Sequence, residues 1–240
     1  KPDRRQRQMC IRDRDKAPRK KLSEIKILAP IPYLLRDIIC VGKNYYAHAK
    51  EFFDSGFDAT QKETIPSEPI IFTKAMTSLI GPDDAIDTSI DPTGSVDYEG
   101  ELGVVISKTA RRVAKNDWQD YVFGYVIIND VTSRELQKKH NQWTIGKGLD
   151  TFGPMGPYIV TKDEIDDLPS MQIQTLVNDE VRQQAEVRDL IFDIPTLIET
   201  LTLTGTLLAG DIIATGTPVG VGIGFSPPKF LKSGLSLIHI

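Results

Sequence analysis

The stretch SVDYEGELGVVI, Ser95–Ile106, decides how the chain is read. Its β-rich, alternating composition reads as a strand, yet Asp97, Glu99 and Glu101 fall on one parity. Side chains two apart on a strand face the same side, so Glu99 and Glu101 stand together while Tyr98, Gly100 and Leu102 face the other way. Two carboxylates that close repel each other. On a solvated face water screens the repulsion; in a buried site a divalent cation is the natural neutraliser, because hard oxygen ligands suit Mg²⁺, Mn²⁺ or Ca²⁺. Such an ion calls for a third carboxylate. YVIINDVTSRELQ, Tyr125–Gln137, offers Asp130 at the end of a strongly apolar strand, where an unpaired buried charge is costly.

Around this pair of segments the apolar runs are short and punctuated by Gly and Pro. Strands are expected at 69–76, 98–107, 121–130, 156–162, 171–179 and 210–216, with a hairpin turning at Asn178 and Asp179. Helices are expected at 44–53, at 132–140 with Thr132 as a cap, and at 194–203. The class is α+β, a β-rich body of antiparallel or mixed sheet.

At 240 residues and 40% hydrophobic content the chain can bury a full core. It contains no apolar run of the ~20 residues a membrane helix needs, and its beginning lacks the order of a signal peptide, so the expected compartment is the cytosol. Two cysteines, Cys10 and Cys40, make neither a disulfide framework nor a zinc site. Ten Lys or Arg stand against three Asp in residues 1–21, leaving 19 basic and 30 acidic residues for the rest, so the body is acidic. The basic arm lacks aromatic interleaving and apolar periodicity, which fits a solvated tail better than a nucleic-acid or membrane partner. A mitochondrial transit peptide is the alternative, opposed by Asp3, Asp13 and Asp15. MCIRDR near the start and LSLIHI at the end resemble translated adapter sequence. The chain is therefore divided into a basic extension at 1–24, a catalytic domain at 25–234 and a tail at 235–240.

NYYAHAKE, VDYEGELGVVI, GYVIINDVTSRELQ, GKGLDTFGPMGPYIV and GDIIATGTPVGVG, in this order and spacing, resemble the fumarylacetoacetate hydrolase superfamily, closest to its fumarylacetoacetase domain-containing branch. The resemblance spans Ile38–Gly234. It implies a β-rich mixed-sheet roll, a homodimer, and Mg²⁺ or Mn²⁺ held by Glu99, Glu101 and Asp130. His48 and Glu51 lie three apart, on one face of a helical turn. The resemblance makes them a dyad on a lid, with Phe52, Phe53 and Phe57 closing over substrate. Lys147, between glycines, is implied to face the developing negative charge, and Lys74, Arg134, Gln137 and Thr217 to bind or support the substrate. ATGTPVGVG, Ala214–Gly222, is no nucleotide loop, since it has neither the Gly-Lys-Ser/Thr of a P-loop nor a G-x-G-x-x-G turn opening a helix.

The implied activity is divalent-metal-dependent cleavage of a carbon–carbon bond in a 2,4-dioxo acid, as in acylpyruvate or fumarylpyruvate hydrolysis. Oxaloacetate decarboxylation and enol–keto tautomerisation are the alternatives on the same scaffold, and a non-catalytic metal-binding module is a third. Relatives continue past PPKFLKSG with further strands, so the tail is expected to pair with nothing and to leave the sheet open.

Overall fold

The computed structural model describes residues 17–58, 64–140 and 142–239. Cys10 and the greater part of the basic extension lie outside them. Thirteen strands are described: β1 (Ile38–Gly42), β2 (Ile70–Lys74), β3 (Leu79–Ile80), β4 (Val96–Asp97), β5 (Gly100–Ile106), β6 (Val122–Asn129), β7 (Thr132–Ser133), β8 (Gly153–Pro154), β9 (Val160–Thr161), β10 (Gln172–Val177), β11 (Glu180–Glu186), β12 (Ile212–Ala214) and β13 (Leu237–His239). The α-helices are α1 (Tyr46–Asp54), α2 (Arg134–Lys139), α3 (Thr144–Lys147) and α4 (Ile194–Thr204).

Six strands form the main sheet in the order β2-β1-β12-β5-β6-β9, antiparallel except where β1 runs parallel to β12. This is the mixed, β-rich architecture expected. Alternation along the strands builds two cores. Leu102, Val104 and Ile106 of β5 join Val41, Ile213 and the buried face of α4, including Leu197 and Ile198. Val105, Val126, Ile128, Ile38, Cys40 and Ala214 fill the opposite face. Helix α4 starts where Asp193 accepts from Thr196 N at 2.9 Å and Pro195 occupies the first turn, both strong helix-start signals.

The expected hairpin is β10–β11, and Asn178 and Asp179 have φ of 48° and 64°. Positive φ at both central residues is what a two-residue turn matched to strand twist requires, and Asn and Asp tolerate it.

Four expectations are corrected. Thr132 is not a cap: it pairs with Asp97 in a β4–β7 ladder, its hydroxyl donates to Asp130 O, and Ser133 holds the cap position without a side-chain bond. The strand expected at 156–162 shrinks to Val160–Thr161. The central strand β1 was not expected, because IICVG is a short apolar run that becomes a strand only between β2 and β12. The tail does pair: β13 lies antiparallel to β10, Leu237 opposite Val177.

The quoted stretch is also two strands. A break at Tyr98–Glu99 separates β4, which pairs with β7, from β5, and just beyond it Gly100 lets a second sheet come close. A Cβ there would sit 2.1 Å from Thr175 Oγ1 and 2.8 Å from His239 Cδ2. The smaller sheet, β11-β10-β13, therefore crosses β5 at a bare Cα. Gly100→Ala should destabilise by about 1–3 kcal/mol, the usual cost of overpacking. The check is a thermal melt, where the loss reads as a fall of several degrees; an unchanged midpoint would show that the crossing is loose.

Candidate metal centre and lid

Glu101 shares its parity with Gly103 and Val105, and Asp130 continues the row of Val126 and Ile128. The carboxylates thus extend the apolar face of the sheet at its end, where β6 runs out and Asp130 N donates to Glu99 O at 2.8 Å. Glu99, Glu101 and Asp130 are all buried, and one ligand oxygen from each lies within 4.8 Å of the others. Three elements deliver cations to them. Lys147, ending α3, places Nζ 2.7 Å from Glu99 Oε2 and 2.6 Å from Asp130 Oδ2. Arg134, opening α2, places Nη1 2.6 Å from Glu99 Oε1. Lys74, ending β2, lies 2.9 Å from Asp130 Oδ1 without the alignment of a hydrogen bond, because its ammonium donates to the carbonyls of Val131 and Lys147.

Glu101 is treated differently. Among the described residues no side-chain cation pairs with it, and its one hydrogen bond comes from Gly216 N at 2.8 Å. Burial, with Asp130 and Glu99 next, pushes its carboxyl well above the ordinary carboxylate value. For Glu99, burial acts in the same direction, but Lys147 and then Arg134 outweigh it and hold the carboxyl down to about 2. Burial lowers Lys147 in turn and is outweighed by Asp130 and Glu99, so its ammonium is held above the usual lysine value. A trio with one carboxylate left uncompensated fits a divalent ion with oxygen ligands, and Glu99, Glu101 and Asp130 are the residues that would hold it.

Asp97, third on the quoted parity, takes another role. Beyond the break it accepts from Tyr98 N and Gly222 N through Oδ1, and from Ile223 N and Arg134 Nε through Oδ2. It binds backbone and Arg134 rather than joining the trio.

The lid is α1. His48 and Glu51 meet across one turn, Nδ1 to Oε2 at 3.0 Å, and Glu51 Oε1 also accepts from Gly220 N at 3.0 Å. Gly224 makes room for this carboxylate, since a Cβ there would stand 1.9 Å from Glu51 Oε1. In a neutral imidazole, a carboxylate partner places the proton on Nδ1 and leaves Nε2 as the acceptor. Phe52 stacks on His48 with centroids 6.2 Å apart and meets Trp143 edge-on at 5.9 Å. Beneath lies a cleft of about 10 Å³, lined by His48, Phe52, Glu99, Glu101, Arg134, Gln137, Lys147 and Thr217. That volume is about the size of one water or one ion.

Seven of the ten residues proposed from sequence line the cleft; Glu51 touches His48, and Lys74 and Asp130, fully covered, touch Lys147. Gln137 accepts from Arg134 Nη1 at 3.3 Å. The Thr217 hydroxyl donates to Gly100 O and accepts from Gln183 Nε2, both bonds holding the loop to the crossing of the two sheets. Phe57 packs on Phe230 and, like Phe53, does not line the cleft. Among the lining residues that sequence reasoning missed are Lys43 and Trp143. Lys43, at φ 53°, pairs with buried Asp58, and Trp143 packs where Gly42 has no Cβ. The sequence offered a signal for neither, since the strand that ends at Gly42 was itself not expected.

The family model for the fumarylacetoacetate hydrolase C-terminal domain matches residues 37–238. The chain belongs to the fumarylacetoacetate hydrolase family. It is 52% identical over 213 residues to the oxaloacetate tautomerase YisK of Bacillus subtilis, covering 89% of this chain and 68% of that protein. Among solved structures, the family member from psychrophilic Exiguobacterium antarcticum superposes with TM-score 0.80 at 42% identity, over 95% of this chain and 78% of that one. A maleylpyruvate hydrolase from Sphingobium sp. SYK-6, in complex with manganese(II) and pyruvate, superposes with TM-score 0.76 at 32% identity, over 98% and 76% of the two chains.

Because binding to the native state alone stabilises it, added Mn²⁺ should raise the melting temperature of the wild type and leave Glu101→Gln nearly unmoved. Calorimetry should show at least a tenfold weaker Mn²⁺ affinity in the variant. Equal affinity would remove Glu101 from the ligand set.

Proposed function

We propose that the chain is a Mg²⁺- or Mn²⁺-dependent enzyme that interconverts the enol and keto forms of oxaloacetate or a closely similar 2-oxo diacid. The observation that carries the reading is the pairing of unlike halves across one small cleft. On one side lies a carboxylate trio suited to a divalent ion; on the other, an imidazole whose second nitrogen is anchored by Glu51. The tautomerase relative supports the choice of reaction.

When bound, the ion supplies Lewis acidity that stabilises negative charge on the 2-oxygen of the substrate. The chain's residues do the rest. Arg134, on the cleft wall, has a buried Nη2 without an acceptor among the described residues, a donor suited to a substrate carboxylate. Toward the keto form His48 Nε2 takes the proton of the 2-hydroxyl and delivers it to C3, the reverse order gives the enol, and Glu51 holds the ring and steadies the imidazolium while it is charged. Lys147 lends positive charge beside the developing enolate. Phe52 and Trp143 close over the ring and keep water out.

Hydrolysis of a 2,4-dioxo acid is the second reading, favoured by the maleylpyruvate hydrolase neighbour and by the same dyad, which would then take its proton from water. The two part on what leaves the cleft. Tautomerisation changes the absorbance of the enol without releasing a fragment; hydrolysis releases pyruvate.

Purified protein mixed with enol-oxaloacetate should accelerate its decay in Mg²⁺ or Mn²⁺, and chelation should abolish the effect. His48→Ala should cost roughly 10²- to 10⁴-fold, the share of a general acid–base, with Mn²⁺ affinity retained. Stoichiometric pyruvate from an acylpyruvate, with no effect on the enol, would replace the first reading by the second.

A further inference from the structure

We propose that Asp97 is a positioning residue that ties the lid to the carboxylate trio through the segment Gly220–Gly224. Three observations converge on it. Asp97 has no exposed surface, and its four bonds reach two different structures: Gly222 N at 2.6 Å and Ile223 N at 3.1 Å on the segment, and Arg134 Nε at 2.9 Å on α2. The adjacent Tyr98 grips the same segment, its hydroxyl donating to Gly220 O at 2.8 Å. The far side of the segment holds Glu51, through Gly220 N and the bare Cα of Gly224.

One carboxylate therefore sets the orientation of Arg134, which pairs with Glu99, and also the path of the segment that receives Glu51, which pairs with His48. The break in the strand after Asp97 is what frees it to do so. Tight packing makes this a stiff link, because a Cβ on Gly222 would come 2.6 Å from Asp97 Oδ1 and 2.5 Å from Lys229 O.

The catalytic part of the claim rests on the proposed role of His48 and Glu51; the mechanical part does not. Hydrogen exchange on the full chain tests the latter. Asp97→Asn keeps the shape but loses the charge and one acceptor, so exchange should speed at least tenfold at Gly222, Ile223 and the amides of α1, with β10–β11 unchanged. Gly222→Ala, which pushes the segment off Asp97 from the other side, should give the same pattern and serves if Asp97→Asn fails to fold. Asp91→Asn is the control, since Asp91 is buried beside the same ladder but, among the described residues, bonds only Thr93, Ser95 and Ser133. It should not loosen α1. Wild-type exchange in α1 for a folded Asp97 variant, or equal loosening by Asp91→Asn, would overturn the proposal. On turnover, the Asp97→Asn and Glu51→Gln penalties should fall well short of additive; full additivity would overturn the catalytic link. If the exchange pattern appears and no substrate turns over, the assignment of function fails while the tie stands.

Discussion

Burying three carboxylates within 4.8 Å of one another is the constraint around which this molecule is arranged. Like charges in a poorly screened interior cannot be left alone. Lysines at the ends of β2 and α3 and an arginine at the start of α2 all come to one point, although 73 residues separate Lys74 from Lys147 in sequence. These cations satisfy Glu99 and Asp130 and stop short of Glu101. The result is a prepaid site: most of the repulsion is relieved by the protein itself, and what remains is the share a divalent ion would take. Full compensation by a fourth cation would remove the reason for metal to bind, whereas fewer cations would make the apo fold costly.

The sheet supplies the second constraint. Carboxylates at Glu99 and Glu101 require the intervening residue to face the other way, and there the hairpin sheet crosses so closely that only hydrogen fits. Glu-Gly-Glu is thus one solution to two problems, charge on one face and contact on the other. Thr217 belongs to the same knot. Its hydroxyl bridges Gly100 O and Gln183, so the loop after β12 is fixed at the point where it passes the cleft. A residue expected to face substrate is also a tie between sheets, and its side-chain hydrogen is already committed.

What could be read in advance follows from which physics is local. The carboxylate pair, the third acid at the end of an apolar strand and the Asn178–Asp179 turn all depend on period or on the φ preference of single residues, and all were legible. The break at Tyr98–Glu99 was not, because a two-residue ladder with Thr132 and Ser133 decides it, and nothing in Ser95–Ile106 announces that partner. The same ladder makes Thr132 a strand residue instead of a cap and leaves Asp97, to which no ligand role was given, as a backbone clamp. β1 was missed for a related reason: its five residues become a strand because β2 and β12 flank them.

The identity of the reaction lies at the far end of this scale. Acid trio, cations and dyad serve any chemistry that passes through an enolate of a 2-oxo acid, so the tautomerase and hydrolase relatives can share them. What separates the branches is whether a water can stand between His48 and the substrate. In this chain Phe52 lies on the imidazole, Trp143 backs it, and the cleft has room for about one small species. On the proposed reading, this aromatic cover favours direct proton transfer between Nε2 and carbon over activation of a separate water. On that reading the aromatic packing above His48, more than the acids below it, is where tautomerisation and hydrolysis part.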